Sequence, residues 1–141
     1  MAKKSCIKGL DISGSERIIP PSEVRSTHQL HPAFCFRHIE SDFSLKKNDK
    51  NIQALLSQKL EGLGQLNWDQ INKADRKGQG HEIIEQHSIK HAQKGKIPLD
   101  RKYLSFRLGG GKNSVFIGYR SGKVFYICWI DPQGKVYSHG S

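Results

Sequence analysis

The pattern of apolar and polar residues divides the chain into an N-terminal arm, a mixed middle and a strand-rich final third. Residues 1–31 are polar and interrupted by glycine and proline, which predicts an irregular arm. Apolar residues recur regularly from residue 32 onward, and residues 32–141 are predicted to form one domain. A chain of 141 residues is long enough for one substantial core but not for two.

The middle of the chain predicts one strand followed by helices. Residues 33–39 are aromatic and partly alternating, which favours a short strand. Asn48-Asp49 offers a cap for a first helix, and Asn67 caps a second one in which Trp68 faces inward. The first helix would carry its apolar side chains on one stripe: Ile52, Leu55, Leu56 and Leu60. Residues 81–89 predict a further helix, with a strand as the competing interpretation.

An alternation of period two dominates from residue 103 onward. Leu104 and Phe106 share one face of a predicted strand, whereas Ser105 and Arg107 share the other. Two more strands follow, and a turn then leads to a short final strand at residues 135–137. The predicted fold class is α+β: an N-terminal strand, and two or three helices packed on one face of a C-terminal three- to four-stranded antiparallel sheet.

The charge of the chain gives the first functional indication. The net charge is +10, and residues 101–141 contain seven Lys/Arg but one Asp/Glu. The positive excess is therefore concentrated on the predicted sheet. This asymmetry favours a polyanionic partner, and nucleic acid rather than a membrane, because no basic amphipathic helix accompanies it.

Hydropathy and cysteine content exclude several other classes. No run approaches the roughly 18 apolar residues of a membrane span, and the N-terminus lacks the apolar stretch of a signal peptide. The three cysteines are odd in number and far apart, which argues against a disulfide framework or a zinc site. His81 and His87 do not have the spacing of a metal pair. The sequence thus predicts a cytoplasmic protein with reduced thiols, no metal and no cofactor.

The final third contains the run FRLGGGKNSVFIGYRSGKVFYICWIDPQGKVY at residues 106–137. The run contains, in order, a strand with a basic residue, a short loop, a strand with an apolar-Gly-Tyr-Arg stretch, a hydrophobic strand and a closing Val-Tyr. This order resembles the sheet of RelE/ParE-type toxins of bacterial toxin–antitoxin pairs. The run is also similar to small uncharacterised bacterial proteins that end in a tryptophan-Asp-Pro turn.

The resemblance implies a RelE-like domain whose sheet has one face under helices and one concave, basic face open to ribosome-bound mRNA. It further implies metal-independent RNA cleavage, in which a ribose 2′-hydroxyl attacks the adjacent phosphate. The candidate catalytic residues are Lys102 and Arg107 on the phosphate, and Tyr137 or His139 for proton transfer. A small acidic antitoxin protein is the second implied partner.

Five further basic residues are candidates for contact with nucleic acid: Arg101, Lys112, Arg120, Lys123 and Lys135. Lys112 follows three glycines, but the spacing is typical of a hairpin connection and differs from that of a phosphate-binding loop. Arg120 closes a strand beside Ser121 and Gly122, so a role in the turn is the competing interpretation.

A second hypothesis is a non-catalytic binding module, either a ParE-like binder of a protein target or a nucleic-acid-binding accessory protein of a mobile element. RelE-like nucleases often carry an arginine in the turn before the last strand, where this chain has Asp131 and Pro132. A carboxylate there would repel the scissile phosphate, which favours binding without cleavage.

Overall fold

The computed structural model describes residues 27–74, 79–85, 89, 101–111 and 113–137. These residues form two α-helices, five strands and three short 3₁₀ helices. The α-helices are α1 (Lys50–Gly64) and α2 (Trp68–Lys73). The strands are β1 (Ala33–Cys35), β2 (His81–Ile84), β3 (Tyr103–Arg107), β4 (Val115–Ser121) and β5 (Val124–Asp131). The 3₁₀ helices are Thr27–Gln29, Ser41–Phe43 and Leu45–Lys47.

The five strands form one mixed sheet in the order β1-β5-β4-β3-β2. β2 to β5 pair antiparallel, whereas β1 pairs with β5 in parallel. The α+β class agrees with the prediction, but the expectation of a wholly antiparallel sheet of three to four strands is wrong. Both differences arise at the sheet edges, because the N-terminal strand joins β5 and residues 81–84 join β3.

Both helices begin where the sequence predicts, because their capping groups lie next to them in the chain. The side chain of Asp49 accepts a hydrogen bond from the backbone N–H of Ile52. Asn67 and Gln70 form a reciprocal capping box at the start of α2. The helix predicted at residues 81–89 is wrong over residues 81–84, which form β2. Residues 86–88 lie outside the described part.

The two helices cover one face of the sheet. Leu56 and Leu63 of α1 and Trp68 of α2 are at most 1% exposed, and they pack with the aromatic side chains of β3 to β5. Three phenylalanines lie under them with ring centroids 5.3 to 6.1 Å apart: Phe106, Phe116 and Phe125. This helix-side cluster is the main core of the protein.

The opposite face of the sheet is also buried, by a second cluster to which neither described α-helix contributes. Tyr103, Ile117 and Trp129 are fully buried there, beneath Val136 and Tyr137. The expectation of an open basic face is therefore wrong for the centre of the sheet. One physical reason is the chain after β5, which turns back and covers that face with Val136 and Tyr137, and Phe43 of the 3₁₀ helix Ser41–Phe43 also packs against it.

The ends of the predicted domain also differ from expectation. The predicted final strand at residues 135–137 is reduced to one isolated bridge between Tyr137 and Ile89. Most of the predicted arm, residues 1–26, lies outside the described part. Its last residues form the 3₁₀ helix Thr27–Gln29. Among the described helices, none has both the length and the apolar character that crossing a bilayer requires.

Cys128 is expected to resist alkylation while the protein is folded. Burial, and to a smaller degree the charge of Glu40, raises the pKa of this thiol to about 12, and its side chain is inaccessible. The reactive thiolate is therefore nearly absent at pH 8. Mass spectrometry after iodoacetamide treatment should show modification of the half-buried Cys35 before that of Cys128. In denaturant both should react, and equal reaction in the native protein would contradict this packing.

Candidate nucleic-acid interface

A cavity of about 630 Å³ lies on the helix side of the sheet, between α2, β2 and the start of β3. Its volume falls within the range of small-molecule sites, which is roughly 300 to 1,000 Å³. Its described lining contains three cations, one histidine, one amide and two aliphatic side chains, with no carboxylate. These residues are Asn72, His81, Ile83, Arg101, Lys102, Leu104 and Arg120. Such a lining favours an anionic ligand that also has an apolar part.

The pairing of β3 with β4 explains why the three cations meet. Tyr103 lies opposite Tyr119 in this antiparallel pair. The residue before Tyr103 and the residue after Tyr119 therefore come to the same end of the hairpin. These residues are Lys102 and Arg120, and Arg101 lies one position further. The register thus brings three of the predicted phosphate-binding residues to one end of the hairpin, and all three line the cavity. Lys102 and Arg120 lie on the helix side, whereas the guanidinium of Arg101 lies over Tyr119, which belongs to the cluster on the opposite face.

Arg101 and Lys102 are exposed and available to a ligand. The guanidinium carbon of Arg101 lies 5.1 Å from the centroid of the Tyr119 ring, which is a cation–π contact. In the described part of the chain, neither side chain forms an ion pair with a carboxylate. Both can therefore approach a phosphate without first breaking a salt bridge.

Arg120 is held rigidly at the cavity wall. Its guanidinium carbon lies 4.4 Å from the centroid of the Trp68 ring. Nε donates to the carbonyl oxygen of Gly122 at 2.7 Å, and a terminal nitrogen donates to Oγ1 of Thr27 at 3.0 Å. The other terminal nitrogen lies 3.2 Å from Nδ1 of His28, which must accept because guanidinium has no acceptor. Three of its five N–H groups are thus used within the protein, and the plane is fixed.

His81 contributes an uncharged polar ring. Burial, and secondarily the positive charge of Arg120, lowers the pKa of His81, so its imidazole is neutral at pH 7. Its Nδ1 is buried and has no hydrogen-bond partner among the described residues. The ring lies 5.6 Å from that of Phe106, centroid to centroid. A neutral imidazole can both donate and accept a hydrogen bond.

The structure separates the three candidate catalytic residues that it describes. Lys102 precedes β3 and Arg107 ends it, and five residues of strand span about 17 Å. Arg107 is half-buried, and its side chain lies on the face opposite the helices. Tyr137 is only 5% exposed, with its hydroxyl 3.5 Å from Oγ of Ser105. His139 lies outside the described residues. The three that are described do not converge on one point.

Two of the remaining candidate binding residues, Lys123 and Lys135, do not line the cavity. Lys123 is exposed in the turn between β4 and β5, and its carbonyl oxygen accepts a hydrogen bond from Nε1 of Trp68. Lys135 is exposed after β5, and its backbone N–H donates to Asp131. Lys112 lies outside the described residues. None of these is among the described lining residues.

The sequence did not predict the roles of His81, Ile83 and Asn72 in the cavity. The signal was present in the strand interpretation of residues 81–84, which places His81 and Ile83 on one face. Their partners in β3 are Phe106 and Leu104, which belong to the helix-side cluster. The helix interpretation would have separated them.

No family model, curated protein or solved structure matches the chain. The resemblance to RelE/ParE-type toxins therefore stays a prediction. Within the described ranges, no group of three or more His, Cys, Asp or Glu side chains is arranged to hold a metal ion.

Proposed function

We propose that the protein binds RNA, and that the cations around the cavity contact the phosphate backbone. The observation that carries this proposal is the presence of Lys102 and Arg120 on the helix side of one cavity, whose described lining also includes Arg101 and contains no carboxylate. Guanidinium and ammonium groups are the side chains that phosphate binding favours. The net charge of +10 adds long-range attraction for a polyanion.

Binding without cleavage is the form of this proposal that the geometry favours. Acid–base catalysis needs its groups within hydrogen-bond reach of one scissile phosphate, about 3 Å. Lys102 and Arg107 lie at opposite ends of β3, and Tyr137 is buried beneath the second cluster. The carboxylate of Asp131 is also buried and accepts hydrogen bonds from two backbone N–H groups, so it does not contact a phosphate bound at the surface.

The double substitution Arg101→Ala/Lys102→Ala is expected to weaken RNA binding about tenfold or more. Fluorescence anisotropy with a short labelled RNA, measured over a series of salt concentrations, would give the affinity. The slope of log K against log[salt] should become shallower by about 1 to 2, because one or two phosphate contacts are lost. Arg120 is unsuitable for this test, because its loss would also disturb Trp68 and the 3₁₀ helix Thr27–Gln29.

The matched control is Lys46→Ala/Lys47→Ala. It removes the same charge from two exposed residues of the 3₁₀ helix Leu45–Lys47, outside the cavity. Its affinity for RNA should stay within about twofold of the wild type. Equal losses in both double variants, or no loss in the first, would overturn a specific role for the cavity.

A cleavage assay on the same labelled RNA tests the non-catalytic form of the proposal. We expect the wild-type protein to leave the strand intact in a chelating buffer. Shortened products that disappear with both Arg107→Ala and Tyr137→Phe would instead establish the nuclease hypothesis. The two variants are informative together, because their side chains lie on the face away from the cavity.

A further inference from the structure

We infer that the cavity receives one unpaired base of the bound RNA, so that the protein prefers single strands. This inference rests on the proposed RNA binding and adds the part of the ligand that enters the cavity. Its basis is the combination of an apolar wall, a fixed guanidinium plane and two neutral polar groups at the same cavity as the cations.

The apolar wall is the first part of the argument. Ile83 is 56% exposed. Among the described residues, Leu45, at 36%, is the only other large hydrophobic side chain with as much as about a third of its surface exposed. Ile83 lies opposite Leu104 on β3, on the helix side of the sheet. A phosphate alone gains nothing from contact with these aliphatic groups. A nucleotide does, because its base presents a flat surface of low polarity beside its phosphate.

The second part is the guanidinium plane of Arg120. Its guanidinium carbon lies over the Trp68 ring, and three of its N–H groups are bonded to protein acceptors. Arg120 would offer a ligand in the cavity the side of the guanidinium away from Trp68 and the two remaining N–H groups. Arginine planes are among the surfaces on which unstacked RNA bases lie. Because this plane is already fixed, stacking on it loses little side-chain entropy.

The third part is the pair of neutral polar groups. His81 has one donor and one acceptor, and Asn72 offers its carbonyl oxygen and one N–H, because its Nδ2 also lies 3.3 Å from Nδ1 of His28. Base edges present the same kinds of group. A purely phosphate-binding pocket would be lined more effectively by further cations. The presence of an uncharged imidazole and an amide beside three cations therefore fits a base together with its phosphate.

Strand preference follows from the shape of the site. A base in a duplex is stacked and paired, and extruding it costs a few kcal/mol. An unpaired base enters a cavity without that cost. Duplex RNA would then contact the exposed cations Arg101 and Lys102 without placing a base in the cavity. It would therefore bind more weakly than the same strand alone.

The substitution Ile83→Thr tests this inference directly. It keeps the β-branched shape on an exposed edge strand and should leave the fold intact. We expect affinity for single-stranded RNA to fall about fivefold, and affinity for duplex RNA to stay unchanged. Leu45→Thr is the control, because it removes an exposed aliphatic side chain elsewhere.

A measurement on the wild-type protein makes the test independent of any variant. Adenosine and uridine 5′-monophosphates should shift the NMR signal of an Ile83 methyl group, whereas ribose 5-phosphate, which has no base, should not. Equal shifts from all three ligands, or equal affinities for single and double strands, would overturn the base cavity. If the base cavity were overturned but Arg101→Ala/Lys102→Ala still weakened RNA binding, the proposed RNA binding would remain supported without the base cavity.

Two further outcomes separate the two proposals. If the Arg101→Ala/Lys102→Ala variant bound RNA as the wild type does, that result would contradict both the proposed RNA binding at the cavity and the base cavity. If an acidic peptide displaced RNA and shifted Ile83 while the monophosphates did not, the occupant would be a protein segment. That result would reject the base cavity in favour of a protein-binding module.

Discussion

Replacing Gly118 with alanine is expected to destabilise the fold strongly. An added Cβ would overlap with the carbonyl oxygen of Tyr126 on β5 and lie 2.8 Å from its carbonyl carbon. It would also come within 3.0 Å of the Phe125 ring. The backbone atoms of a central strand cannot move aside to relieve this overlap. The register shift between β4 and β5 also lies at this position, between Ile117 and Gly118. We expect a loss of about 3 kcal/mol or more, a large part of the stability of a small domain.

Thermal unfolding followed by circular dichroism would measure this loss, with Gly64→Ala as the control. Gly64 is the last residue of α1, and nothing lies within 4 Å of the Cβ that alanine would add. Alanine there should be neutral or stabilise the helix by up to about 1 kcal/mol. A Gly118→Ala variant that melted at the wild-type temperature would contradict the close approach of β4 and β5.

Replacing Asp131 with alanine is expected to have the second largest effect on stability. Its carboxylate is 1% exposed and accepts hydrogen bonds from the backbone N–H groups of Lys135 and Val136 at 2.9 and 2.8 Å. Alanine would leave both donors without their acceptor. Val136 and Tyr137 would also lose the anchor that holds them over the second cluster. We expect the free energy of unfolding to fall by about 2 to 4 kcal/mol, measured by urea denaturation.

Asp131→Asn and Asp42→Ala are the informative controls. Asparagine keeps one accepting oxygen, so its effect should lie between those of aspartate and alanine. Asp42 is exposed, and its removal should change stability by less than about 0.5 kcal/mol. Similar small losses for all three variants would show that the turn after β5 does not depend on the carboxylate.

The elements that the sequence predicted well are those fixed by neighbouring residues. The caps at Asp49 and Asn67 act on backbone groups three positions away, so the start of each helix is readable from a short window. Residues 81–84 are different. Adjacent isoleucines fit either a helix or a strand, and only the distant pairing with β3 decides between them.

The candidate site likewise combines features that neighbouring residues indicate with features that depend on distant pairing. The sequence correctly marks Arg101, Lys102 and Arg120 as basic residues near strand ends, but their convergence depends on the register of β3 with β4. The prediction of an open basic face is wrong for a related reason. The sequence does not reveal that Val136 and Tyr137 return over the sheet, and that return depends on the buried carboxylate of Asp131.

The parallel pairing of β1 with β5 has a consequence for the order in which the protein assembles. β3, β4 and β5 are linked by short turns and can pair early, whereas Ala33 meets Val124 only after a long intervening segment has been organised. We therefore expect β1 to dock last. Until it does, β5 presents an unpaired edge, and a β1 segment from a second nascent chain can occupy that edge instead.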